Sequence, residues 1–180
     1  MNKPIRVLHI VTCMNVGGLE SRLMDLYRSI DKRIVQFDFY TLRKEKKYFD
    51  DEIIKMGGKI FYNAPISIFS FKQNQKEFRN VLLNNSYYII HSHICELSPI
   101  LLSVAKRLDI PVRIVHSRHS NLPFDFKFIY KNICKKFIPS TSTHLLTVSD
   151  KAGNWLYGKK RMKNGEVILV RNAIDSNHYR

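Results

Sequence analysis

Two glycines and a set of histidines are the residues of this chain best placed to do chemistry. Gly17 and Gly18 stand in the run Val16-Gly17-Gly18-Leu19-Glu20, directly after the apolar segment Ile5 to Val11 and directly before a helical pattern. Glycine lets a backbone take positive φ and come close to a ligand. A helix over Leu19 to Ile30 would aim its free N–H groups and positive dipole end into that loop. The implied chemistry is the binding of a phosphate or another anion at the carboxyl edge of a parallel sheet. The plainer reading is a tight strand-to-helix connection with no ligand. Four further strand ends carry polar, ligand-capable residues: His91-Ser92-His93, His116-Ser117-Arg118-His119, Ser149-Asp150 and Asn172-Ala173-Ile174-Asp175.

His91 and His93 are two apart at the end of an extended segment, so their side chains leave the same face. His116 and His119 follow the next such segment. One reading makes these histidines structural, bonding loop carbonyls. The other puts His93 and His116 at a cleft, where a neutral imidazole can hydrogen-bond a sugar hydroxyl or a phosphate, and it is the preferred one for His116. No carboxylate stands at a ligand spacing from them, so no metal is expected.

These residues need a scaffold, and the chain supplies an alternating one. Strands are expected at Ile5–Val11, Gln36–Leu42, Lys59–Tyr62, Tyr87–His91, Val112–His116, Leu145–Val148 and Val167–Val170. Several are apolar almost throughout, as strands covered on both faces should be. Helices are expected at Leu19–Ile30, Phe49–Met56, Asn74–Asn84, Pro99–Leu108, Phe126–Phe137 and Lys151–Tyr157. Gly57-Gly58 closes the second, and Ser98-Pro99 opens the fourth with Ser as cap. Strict alternation of this kind predicts an α/β fold, a doubly wound, mostly parallel, Rossmann-like sheet with right-handed crossovers.

Composition narrows the partners. At 180 residues and 21.2 kDa the chain fits one domain with a full core. No apolar stretch approaches the roughly 20 residues that span a bilayer, and the N-terminus runs straight into a strand without a leader. A cytoplasmic location is expected. Cys13, Cys95 and Cys134 are scattered and odd in number, which argues for reduced thiols rather than a disulfide framework. Thirty Lys and Arg against 15 Asp and Glu leave a net charge of +15, which implies an anionic partner. Nucleic acid is set aside: there is no Arg-rich tract, zinc-finger spacing or stacking platform.

The segment from Phe126 to Phe137 has the clearest helical pattern. Phe126, Ile129, Tyr130, Ile133 and Phe137 recur at three- and four-residue intervals, which predicts a stripe packed on the sheet with solvated lysines elsewhere. The sharper alternative is contact of Lys127, Lys131, Lys135 and Lys136 with anionic lipid headgroups, attaching the protein to the inner face of the plasma membrane. The run Arg43-Lys44-Glu45-Lys46-Lys47 is a lesser phosphate candidate or a solvated loop. There is no Walker lysine loop, Gly-x-Ser-x-Gly elbow or cysteine nucleophile context.

Taken in order, Arg6 to Ile10 with Gly17 to Glu20, Ile89 to His93, Ala105 to Arg107, Ile110 to Ser117, Val148 to Gly158 and Val170 to Asp175 resemble the N-terminal half of a family 4 glycosyltransferase of the two-domain GT-B fold. The kin are bacterial enzymes of capsular and exopolysaccharide synthesis. The resemblance implies a Rossmann-like domain over residues 1–175, with 176–180 starting the crossing into a donor domain. It implies a retaining transferase that moves a sugar from a nucleotide-sugar, usually a UDP-sugar, to a glycan or lipid-linked acceptor. The nucleotide-sugar is substrate, with no cofactor and no metal.

By motif match, His116 is the catalytic-site histidine that contacts the transferring sugar, and Gly17, Gly18, Glu20, His93, Arg118, His119, Ser149 and Asn172 bind substrate. The family usually has His-Ser-His-Asn where this chain has His116-Ser117-Arg118-His119. Its paired glutamates, eight residues apart, and its diphosphate-binding cations would lie beyond Arg180. The chain alone is therefore expected to be inactive and to need a donor domain in cis or in trans. The alternative is a non-catalytic membrane-docking or scaffold subunit that pairs with a separate donor-domain chain.

Overall fold

Seven parallel strands in the order β3-β2-β1-β4-β5-β6-β7 form the backbone of the domain. They are β1 Ile5–Val11, β2 Val35–Thr41, β3 Ile60–Tyr62, β4 Ile89–Ser92, β5 Val112–Ser117, β6 His144–Thr147 and β7 Val167–Leu169. The computed structural model describes residues 3–120 and 128–171. The chain starts at the centre, winds outward through β2 and β3, crosses back to β4 and winds the other way. The reversal between β1 and β4 is the switch point at which such sheets open a crevice.

The crossovers are α1 Gly18–Ser29, α2 Asp50–Lys55, α3 Phe71–Leu83, α4 Ser98–Arg107, α5 Phe128–Lys136, α6 Ile138–Thr141, α7 Asp150–Tyr157 and α8 Lys159–Lys163. A short 3-10 turn, Cys95–Leu97, leads into α4. The expected strands and helices are all present, with ends shifted by up to three residues. The 3-10 turn, α6 and α8 were not legible from periodicity, being three to five residues long. Gly57 ends α2 with φ 86°, its N–H on Ile54 O and that of Gly58 on Ile53 O, the two bonds of a Schellman close. Ser98 is not a cap: it is the first helical residue, and its hydroxyl bonds Ser92 Oγ at 2.8 Å.

Right-handed crossovers put helices on opposite faces according to winding direction. Leu23, Met24 and Tyr27 of α1 and Ile53 of α2 pack on Val7, Val11, Phe37 and Phe39 on one face. Phe78, Leu101, Leu102, Ile138 and Leu156, from α3 to α7, pack on Leu8, Ile10, Tyr40, Ile90 and Val115 on the other. Among the described residues the first face is therefore covered only over β1, β2, β3 at Ile60 and the start of β4. Register places Ile114 beside His91, and Leu146 and Ile168 beside His116, on that same side. None of the three belongs to either core, and Ile168 is 52% exposed.

One buried charge pair braces the sheet's other half. Asp38 on β2 is inaccessible to solvent and accepts from Arg6 Nε at 2.6 Å, Tyr87 hydroxyl at 2.7 Å and the Lys59 amide at 2.7 Å. Burial with four acceptor sites in use is the condition under which a buried carboxylate is tolerated.

Candidate functional site

The parallel order brings the carboxyl ends of β1, β4 and β5 together, and with them four histidines. Strand parity sends His9 of β1, His91 of β4 and His116 of β5 to one face, and His93 follows just beyond β4. His9 Nδ1 lies 3.1 Å from His93 Nε2, and His91 Nε2 lies 3.2 Å from His116 Nδ1. The His91 and His116 rings are stacked at 5.3 Å, and His9 also stacks on Phe39 at 5.5 Å. The expectation that His91 and His93 share a face holds, their rings being 4.1 Å apart. His93 and His116 are 5% and 2% exposed, and Arg118 Nε reaches His93 Nδ1.

Proton positions follow from the partners. Arg118 Nε donates to His93 Nδ1 at 3.4 Å, so a neutral His93 carries its proton on Nε2 and donates it to His9 Nδ1. That leaves the buried Nε2–H of His9 without a partner. His116 Nε2 is likewise buried and unpartnered. Burial first, and then the Arg118 guanidinium, holds His91 down to about 3 and His116 to about 2. Burial lowers His9 and His93 well below the ordinary imidazole value too. All four are neutral at physiological pH, which suits them to orient hydroxyls and not to shuttle protons.

A second cluster adjoins the first. Cys95, with φ 46°, places Sγ 3.5 Å from His119 Nδ1. His119 Nε2 stands 3.3 Å from Glu96 Oε2, near enough to pair as charges but without hydrogen-bond alignment. Lys131 Nζ approaches Glu96 Oε1 at 3.4 Å, and Trp155 packs on the His119 ring at 5.0 Å. The Cys95 and Glu96 contacts raise His119 to about 10. His119 is thus an imidazolium locked to a buried carboxylate. Two sets could supply three ligands to a metal, His9 with His91 and His93, and Cys95 with Glu96 and His119. Arg118 sets a positive charge beside the first, which has no carboxylate to balance a dication; the second carries that negative charge but is already paired with Lys131.

The glycine loop differs from expectation. Gly17 caps α1 in extended backbone at φ −171°, and neither it nor Gly18 has positive φ. A Cβ at Gly17 would run into the Glu20 carboxylate, whereas one at Gly18 would meet nothing within 4 Å, so the space beside Gly18 is open. No side chain caps α1, so its first N–H groups face the loop free of a capping partner, with Glu20 in that first turn. Ser149 caps α7, its Oγ accepting from the Ala152 amide at 3.2 Å, which is a structural task. In the Arg43 to Lys47 run, Lys46 pairs with Asp51 and Lys47 with Glu45. Asn172 and Lys127 lie outside the described residues.

Helix α5 inverts its expected packing. Cys134 is buried and Tyr130 partly so, while Ile129, Ile133 and Phe137 are 72%, 51% and 55% exposed. Lys131 turns inward to Glu96. Lys135 donates to Trp155 O and lies over its ring at 4.7 Å. The inner side of the helix carries Cys134, Tyr130 and the Lys131–Glu96 pair, and Ile129, Ile133 and Phe137 lie outward. Lys131 and Lys135 are thus half-buried and held by Glu96 and Trp155, while Lys136 is exposed. His9 and Glu96, which sequence reading missed, each carried a signal: a lone polar side chain inside an apolar run.

A crevice at the switch point, at the carboxyl edge of the strands, is where open parallel α/β sheets bind their ligands. The model of Glycosyltransferase Family 4 matches residues 16–178, and the chain belongs to that family. It is 32% identical over 174 residues to the putative glycosyltransferase EpsF of Bacillus subtilis (strain 168), covering 94% of this chain and 45% of that protein. Over 165 residues it is 32% identical to CapH of Staphylococcus aureus, a capsular polysaccharide biosynthesis glycosyltransferase, covering 87% of this chain and 44% of CapH. The chain thus spans less than half the length of these relatives.

Among solved structures it resembles Anabaena Alr3699/HepE in complex with UDP and glucose, with TM-score 0.70, 14% identity, and 97% of this chain and 46% of that one covered. A UDP-N-acetylglucosamine 2-epimerase from Rickettsia bellii gives TM-score 0.61 at 15% identity, covering 94% of this chain and 45% of that one. The fold is that of the Rossmann-like N-terminal half of GT-B proteins.

Proposed function

We propose that this chain is the acceptor-side domain of a retaining, metal-independent glycosyltransferase. It would move a sugar from a nucleotide-sugar, most simply a UDP-sugar, to a glycan or lipid-linked acceptor during polysaccharide synthesis. The observation that carries the reading is His116 Nε2, a buried imidazole nitrogen at the carboxyl end of β5 with no hydrogen-bond partner among the described residues. Its neutrality fits hydrogen bonding to a hydroxyl of the transferring sugar. The uncapped start of α1 and the open space at Gly18 fit close approach of phosphate or acceptor at the same sheet edge. Glu20, His93, Arg118 and His119 would shape that edge, His93 by holding Arg118 and His119 by holding Glu96. Electrostatic stabilisation of the leaving diphosphate belongs to a second lobe, so the 180 residues alone would not transfer sugar. A non-catalytic docking subunit is the second reading, supported by the exposed apolar stripe of α5.

The test is sugar transfer from a panel of labelled UDP-sugars to bacterial membrane extract, by this chain alone and by the chain joined to a donor lobe from EpsF. Transfer is expected only from the joined protein, and is expected to fall at least a hundredfold in His116→Ala with UDP affinity retained. Undiminished transfer by His116→Ala would refute the assignment.

A further inference from the structure

At one corner of the carboxyl edge a thiol, a carboxylate and an imidazole converge. Cys95 and Glu96 belong to the 3-10 turn after β4, and His119 lies two residues past the end of β5. Their donor atoms all lie within 4.8 Å of one another. Zinc bonds thiolate at about 2.3 Å and imidazole at about 2.0–2.1 Å, so a tetrahedral angle sets those two donors about 3.6 Å apart. Cys95 Sγ and His119 Nδ1 are already 3.5 Å apart. Glu96 Oε2 faces the other ring nitrogen, and joining the same ion takes a shift on the order of 1 Å. The His119 side chain, 47% exposed, has room to turn and meet it.

Glu96 supplies the observation that points to a cation. It is 4% exposed, and Oε2 has no hydrogen-bond partner among the described residues. The pairing with Lys131 uses the other oxygen, Oε1, at 3.4 Å. One oxygen is thus braced from outside while the other is presented to Cys95 and His119, the way outer partners hold a ligating carboxylate. The Cys95 thiol is otherwise loosely engaged, with His93 O at 3.8 Å and His116 O at 3.7 Å. Entry of a dication sends the thiol proton and the imidazolium proton to solvent, so the net charge of the cluster is the same before and after. Sulfur with imidazole selects zinc over magnesium or calcium, which take oxygen donors. The His9, His91 and His93 set has neither sulfur nor carboxylate, and Arg118 occupies His93 Nδ1.

We propose that Cys95, Glu96 and His119 form a zinc site, with water in the fourth position, that ties the turn after β4 to the chain leaving β5. The ion fixes this rim of the crevice and takes no part in sugar transfer, so the proposal stands apart from the transferase reading.

The test is titration of the chelator-stripped chain with zinc against a chromophoric chelator, and with cobalt(II) as a spectroscopic substitute. A cysteine thiolate on cobalt gives a sulfur-to-metal charge-transfer band in the near ultraviolet. One ion per chain is expected, with that band, and with a higher melting midpoint in zinc than in EDTA. Cys95→Ser should abolish the band. Cys95→Ser and His119→Gln should each weaken zinc roughly a hundredfold or more, and Glu96→Gln about tenfold or more. Cys13→Ser and His91→Gln should bind as the parent does. His119→Gln, at an exposed position, keeps the test decisive where Cys95→Ser, at a buried one, fails to fold. The proposal is overturned if the parent shows no charge-transfer band, or if His119→Gln melts normally and binds zinc as tightly as the parent. It is equally overturned if His91→Gln abolishes binding, since the ion would then sit among the three histidines.

Discussion

Acidification should unfold this domain through its histidines before its carboxylates titrate. His91 is held down to about 3 and His116 to about 2, against an ordinary value near 6.5. A lowered folded-state value means that, below about pH 6.5, the unfolded chain takes up protons which the folded chain refuses. Stability is therefore intact above that value and falls as the pH drops. At pH 5, about 1.5 units below the unfolded value, each of these two histidines costs about 2 kcal/mol, or about 4 together. His9 and His93 act in the same direction. His119, raised to about 10, works the opposite way, its contribution being present below pH 6.5 and lost as the pH climbs through 10. Its exposure keeps that contribution on the surface-pair scale of about 0–1 kcal/mol. A loss of about 4 kcal/mol is a large part of the 5–15 kcal/mol typical of a domain. Urea unfolding followed by far-UV circular dichroism at pH 7, 6 and 5 measures it. Each of His91→Gln and His116→Gln should flatten the dependence below pH 6 by about 1.4 kcal/mol per pH unit. Stability that is level or rising from pH 7 to pH 5 would refute the neutral buried cluster.

Asp38→Ala removes the acceptor shared by Arg6, Tyr87 and Lys59 and should cost about 3–5 kcal/mol, read as a lower calorimetric midpoint. Gly58→Ala would set a methyl 2.8 Å from Phe37 O and 2.9 Å from the Tyr27 hydroxyl, for a loss of about 1–3 kcal/mol in urea titration. Gly18→Leu should leave the melting curve within about 0.5 kcal/mol, since the site is open, yet abolish transfer by the joined protein. In Glu96→Gln, the NMR titration of the His119 ring should move down from near 10, because one of the two contacts that hold its proton is weakened.

The strand series and winding were legible because alternation between apolar runs of about four to seven residues and amphipathic segments is a global signal. The face each helix shows was less legible. On α5 the period was read correctly and its phase wrongly, since the partners of its inner side, Glu96 among them, lie thirty-odd residues upstream and are set only by tertiary structure. His91, His93 and His116 could be named from strand ends. His9 could not, because its partners come from a register that only tertiary structure sets. Gly17 and Gly18 were singled out for a positive φ that neither has: composition marks a glycine, but only coordinates give its backbone angles and the space beside it.

The uneven clothing of the sheet has a colloidal consequence. Along β5, β6 and β7, one side carries half-buried Ile114 and Leu146 and exposed Ile168, with no helix above them among the described residues. Two copies would gain by laying these surfaces together, and what keeps them apart is long-range repulsion between bodies that each carry +15. Dispersal of the isolated domain should therefore depend on dilute electrolyte: concentrated salt collapses the repulsion to a few ångströms and leaves the bare side free to self-adhere.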